Sequence, residues 1–96
     1  MYTKHAEKRV QQRGISQEVC EMLLSYGDEK FDGHGGIVQY FSEKSVSRLI
    51  AEKGIQYCKK NIKQFKAYLV KSARDGAIIT VGIDRTPHKF KVLGAA

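Results

Sequence analysis

The stretch AYLVKSARDGAIITVGI, residues 67–83, decides the fold. It holds two β-prone runs, Ala67–Ser72 and Ala77–Ile83, on either side of Asp75-Gly76. An Asp-Gly step between such runs is a strong hairpin signal, because glycine takes the positive φ of a tight turn at no steric cost. Strands joined this way are antiparallel. Toward the C-terminus, Pro87 breaks the chain, and His88 to Leu93 reads as a last edge strand. Toward the N-terminus, the spacing predicts a helix over Ile55 to Phe65. Ile55, Cys58, Ile62 and Phe65 fall on one side of it and Lys59, Lys63 and Lys66 on another.

Further back, Ser42 is placed to cap a helix that runs to Lys53, with Val46, Leu49 and Ile50 as its apolar stripe and Gly54 closing it. Ile37 to Phe41 reads as a strand with Ile37, Gln39 and Phe41 on one face and Val38 and Tyr40 on the other. The loop Gly33-His34-Gly35-Gly36 precedes it, and Glu29 to Asp32 reads as a short strand before that. Two helices open the chain. Lys4 to Arg13 offers Ala6 and Val10 as a narrow apolar side and ends at Gly14. Ser16 caps the second, whose core face is Val19, Met22, Leu23 and Tyr26, with Ile15 and Cys20 spaced as a hydrophobic staple. Helices, a strand, more helices and a hairpin argue for one α+β domain over residues 1–96, with a small, mostly antiparallel sheet.

The formal net charge is +7, and its distribution is uneven. Residues 1–28 and 29–53 each balance four cations against four anions, whereas residues 54–96 carry nine cations against two anions. Such asymmetry favours a polyanionic partner, such as nucleic acid or an acidic protein, although a basic surface also simply aids solubility. No apolar run approaches the roughly 20 residues that span a bilayer, and the polar N-terminus does not resemble a signal peptide, so a cytoplasmic protein is expected. Cys20 and Cys58 lack a CxxC partner and read as buried thiols.

Four motifs in series resemble a known family. They are HAEKRVQQRGIS at residues 5–16, YGDEKFDGHGG at 26–36, YFSEKSVSRL at 40–49, and AYLV followed by DGAIITVG over 67–82. Together they are similar to the bacterial domain-of-unknown-function family numbered 4258, grouped with the RelE/ParE-like toxins and, more widely, with barnase and other metal-independent ribonucleases. The resemblance implies N-terminal helices on a twisted antiparallel sheet, RNA as the substrate class (in some relatives on the ribosome), and an acidic antitoxin as partner. It carries His5, Arg9 and Arg13, Gly33 to Gly36, Tyr40, Lys44 and Arg48, and Tyr68, Asp75, Gly76, Thr80, Val81 and Gly82. In one place the chain departs from it. Relatives follow TVG with a histidine and an arginine, but here Ile83 and Asp84 stand there, and Arg85, His88 and Lys89 come later.

Metal-free RNA cleavage requires a base for the 2′-hydroxyl, an acid for the leaving 5′-oxygen, and cations for the phosphate. His5, Arg9 and Arg13 lie four residues apart and share a helix face. His5 is the proton-transfer candidate, Arg9 the phosphate clamp, and Tyr68 a further catalytic candidate. Arg13, Lys44, Arg48, Lys59, Lys63, Lys66, Arg85, His88 and Lys89 are the candidate RNA contacts, and Tyr40 and Tyr68 can stack on bases. Each has a plainer reading. His5 can sit at a frayed helix start, and Arg9 can bridge to Glu18 or Glu21. Arg13 can offset a helix dipole, the lysines can form a solvated face, and the tyrosines can be half-buried sheet residues. No cofactor is expected. The three histidines lie too far apart in sequence for a metal motif. The glycine loop lacks P-loop spacing, no GxSxG elbow is present, and the second helix is too acidic to read DNA.

Overall fold

Four strands, Asp28–Phe31 (β1), Gly36–Tyr40 (β2), Ala67–Ser72 (β3) and Ile78–Ile83 (β4), form one sheet in the order β1-β2-β3-β4, each antiparallel to its neighbour. The computed structural model describes residues 1–84 and 90–93, with Val92 by its backbone alone. The helices are Lys4–Arg13 (α1), Gln17–Tyr26 (α2), Glu43–Lys53 (α3) and Ile55–Lys60 (α4), and the class is α+β. Among the described residues, no helix is long and apolar enough to cross a membrane.

The helix starts obey local chemistry. Thr3, Ser16 and Ser42 each accept the backbone N–H three residues on, which satisfies a donor left without an intrahelical partner. Ser42 and Ser45 make this reciprocal. Gly14 takes φ 64° and ends α1 in the left-handed conformation. The inner face of the sheet sets Gln39, Leu69 and Val81 in register, all buried. Ala6, Val19, Leu23, Val46 and Leu49 join them from the helices in one apolar core. The outer face carries two cross-strand rows, Lys30–Val38–Val70–Thr80 and Asp28–Tyr40–Tyr68–Gly82. Most of these outer side chains are only half-buried.

Four expectations need correction. The first two strands begin one residue earlier than the apolar pattern suggests, because the ladder pairs Asp28 with Tyr40 and leaves Asp32 to hold the turn. Asp32 Oδ1 accepts from the backbone N–H of His34 and of Gly36, at 2.6 and 2.9 Å, and these bonds hold its carboxyl below the usual carboxylate range. The fourth helix stops at Lys60. The Asn61 side chain donates to Tyr57 O at 2.9 Å, and Ile62–Lys66 continues as a 3₁₀ helix. Ile55 and Ile62 are therefore exposed, while Cys58 and Phe65 stay in the core. The segment at the C-terminus is no strand over Lys91–Leu93. It is a 3₁₀ turn that buries Phe90 and Leu93. Arg85, Pro87, His88 and Lys89 lie outside the described residues. The turn of the hairpin is longer than Asp75-Gly76 alone. It spans residues 73–77, with Gly76 at φ 75° and Asp75 Oδ1 accepting from Ala77 N.

Candidate RNA-binding face

The end of β2 and the start of β3 set Tyr40 directly opposite Tyr68 on the outer face. The pairing follows from register. Tyr40 closes β2, and Tyr68 is the second residue of β3, so one antiparallel ladder makes them neighbours. The ring of Tyr68 reaches across β4 over Gly82, where a Cβ would come within 2.6 Å of its hydroxyl and 2.7 Å of Cζ. On the other side, Lys30 Nζ lies 6.0 Å from the Tyr40 ring centroid, at the limit of a cation–π contact.

A cavity of about 560 Å³ opens beside this pair. Its apolar floor holds Phe41, Phe65 and Phe90. Phe65 packs against Phe41 at 4.9 Å between centroids and meets Phe90 edge-on at 5.9 Å. Its polar rim holds Lys30, Ser42, Glu43, Lys66, Tyr68 and Asp84. Glu43 Oε1 accepts from Lys91 N at 2.6 Å, which ties the C-terminal turn to the start of α3. Ser42 Oγ also donates to Asp28, whose other oxygen pairs with Arg48 at 3.4 Å. A second recess of about 450 Å³ adjoins the cavity. It is lined by Gln12, Arg13, Lys66, Ile83 and Asp84, so Lys66 and Asp84 border both spaces.

The structure gathers some of the sequence candidates and separates others. Tyr40, Tyr68 and Lys66 share the cavity, while Arg13 lines only the adjoining recess. Neither His5 nor Arg9 lines it. His5 is exposed in the first turn of α1, whose cap Thr3 bonds to Ile78 and Ile79 at the start of β4, while Tyr68 pairs near the end of that strand. Arg9 makes no bridge to Glu18 or Glu21. The two ion pairs found among the described residues are Arg48–Asp28 and Lys71–Glu29. Arg48 is spent on Asp28, and Lys44, Lys59 and Lys63 are exposed outside the cavity. His34 belongs to the β1–β2 turn through its backbone bond to Asp32.

Sequence reasoning passed over Lys30, Glu43 and Gln12. Lys30 had a weak signal, since it alternates outward from Glu29, but only the ladder register brings it beside Tyr40. Ile83 and Asp84, the two positions where the resemblance leads one to expect histidine and arginine, both face the recess with Arg13 and Lys66. Among the described residues, no cluster of three or more His, Cys, Asp or Glu is placed to hold a metal ion. Comparison with family models, characterised proteins and solved structures returns no match.

Proposed function

We propose that this protein is a RelE-type domain that acts on RNA, a toxin-type, metal-independent endoribonuclease or a derivative that keeps its binding surface. One observation carries the reading. Two tyrosines stand side by side on an open sheet face with a lysine at each flank, Lys30 by Tyr40 and Lys66 by Tyr68. Aromatic rings on a sheet take unstacked bases, and cations beside them take the backbone of a single strand. The basic excess of residues 54–96 suits the same ligand, and it also suits an acidic partner that would hold a cytoplasmic toxin in check.

For cleavage, the reading assigns proton transfer to the Tyr68 hydroxyl and the rim carboxylates, with Lys66 offsetting the charge that builds on phosphorus. The 2′-oxygen loses its proton and attacks phosphorus, and the 5′-oxygen leaves with a proton, so the product ends in a 2′,3′-cyclic phosphate. Binding without cleavage is the second reading. It is favoured by the position of His5 and Arg9 outside the cavity and by Ile83 and Asp84 in the adjoining recess.

One experiment separates the two. Purified protein is incubated with single-stranded RNA in EDTA, and binding and cyclic-ended products are both followed. Tyr68→Ala is expected to weaken binding about 10-fold or more, from the loss of one stacked base at ~1–3 kcal/mol. Tyr68→Phe is expected to keep binding and lower any cleavage, and His5→Ala to change neither. Retention of wild-type affinity by Tyr68→Ala overturns the proposal.

A further inference from the structure

We propose that the recess between the end of α1 and the end of β4 is a second nucleotide subsite, so that a single RNA strand runs from the tyrosine pair over Lys66 and into it. This rests on the RNA reading of the tyrosine face. Two features carry it beyond that reading. The recess shares Lys66 and Asp84 with the larger cavity, so the two spaces meet at one wall rather than standing apart. Its far side is built by consecutive residues of another element, Gln12 and Arg13 at the end of α1.

The chemistry of these groups fits a nucleotide better than a bare phosphate. Lys66 stands between the two spaces, where the phosphate linking two nucleosides would pass. A lysine serves there as a point charge. Arg13 offers a planar fork of donors to the next phosphate, or a flat surface to a base. Gln12 offers both a donor and an acceptor, which a base edge uses and a phosphate does not. Asp84 adds a carboxylate to the wall, which lowers the appeal of the recess for a free anion. The nearby C-terminus of α1 does not oppose the path strongly, because the N–H of Gly14 already bonds to Gln11 O and Ile15 N bonds to Val10 O. The minimal ligand is thus about two nucleotides of RNA.

Uridine monophosphate and an unstructured RNA hexamer are titrated against wild type, the Gln12→Ala/Arg13→Ala double variant, and Tyr68→Ala. Gln12 and Arg13 are exposed, so their loss should not disturb the core. Wild type is expected to hold the hexamer at least about tenfold more tightly than the mononucleotide, the size of one further engaged base. The double variant should lose that gain and keep its affinity for the mononucleotide, while Tyr68→Ala should lose affinity for both. Should the double variant bind the hexamer as tightly as wild type, the subsite is overturned and the tyrosine face stands. Should wild type bind neither ligand, the RNA reading fails and the subsite with it.

Discussion

Gly82 shows how a residue without a side chain governs one that has chemistry. The Tyr68 ring occupies the space a Cβ would need. Gly82→Ala is expected to push the phenol off β4 and to weaken RNA binding nearly as much as Tyr68→Ala, while costing about 1–3 kcal/mol of stability from overpacking. Parallel titrations and denaturant melts check both. Tyr40 and Tyr68 were legible in the sequence one by one. Gly82 was legible only as a motif residue; its place beneath Tyr68, and that of Lys30 beside Tyr40, were not, because both depend on which residue faces which across the ladder. Gln39 is a second instance. Alternation turned it inward, and its amide donates to Leu23 O at 3.1 Å while its own carbonyl oxygen is buried without a partner. Leu23 O also accepts from Gly27 N, so Gln39→Leu strands no acceptor and is expected to leave the melting temperature unchanged or raised. Tyr2 and Tyr57 set an alkaline limit. Burial pushes the Tyr2 phenol up to about 12, and a hydrogen bond to Glu18 raises Tyr57 to about 12. Unfolded phenols titrate near 10. The stability these two contribute is therefore whole below that pH and falls as pH rises toward 12. In melts across pH 9–12, Tyr2→Phe and Tyr57→Phe should each flatten the decline.

At the scale of elements, the caps were the most readable features and also join the helices to the sheet. Ser42 starts α3 and at the same time holds Asp28 of β1, which in turn holds Arg48. Ser42→Ala is expected to cost about 1–2 kcal/mol, at the upper end for a cap, because it also frees Asp28. A chemical melt of the variant against wild type measures it, and a loss below 0.5 kcal/mol would make the Asp28 contact idle. The elements that misread the sequence share a cause. Ile55 to Phe65 has an unbroken helical period, but β3 must begin at Ala67 and the Asn61 amide takes a carbonyl from the turn before it. The chain tightens into a 3₁₀ helix there. The final segment has strand-like composition, yet Phe90 finds Phe65 and the turn packs away from the ladder. In the first case a local side-chain bond ended the helical period, and in the second a tertiary contact outweighed a local preference.

Across the whole molecule, the fold class was legible because hairpin, caps and periodicity all agreed, whereas the binding face was legible only as a list of residue types. Folding brings Lys30 from the first third of the chain and Lys66 from the last to the two sides of one aromatic pair, and adds Arg13 at the next recess. If these three cations meet phosphates, the logarithm of RNA affinity should fall against the logarithm of salt with a slope of about −2, at about −0.7 for each contact with a single strand. Anisotropy titrations between low and moderate salt read the slope directly, and a flat response would remove the backbone from the interaction. The N-terminal edge carries a different consequence. Met1 and Thr3 extend the sheet by pairing with Ile78, and the bond from Thr3 Oγ1 to Ile79 O spans 76 residues. During synthesis, at about 5–20 residues per second, α1 emerges about 4–15 s before the strand it packs against. Residues 1–3 are thus among the last parts of the fold to find their place, because their partner strand is among the last to be made.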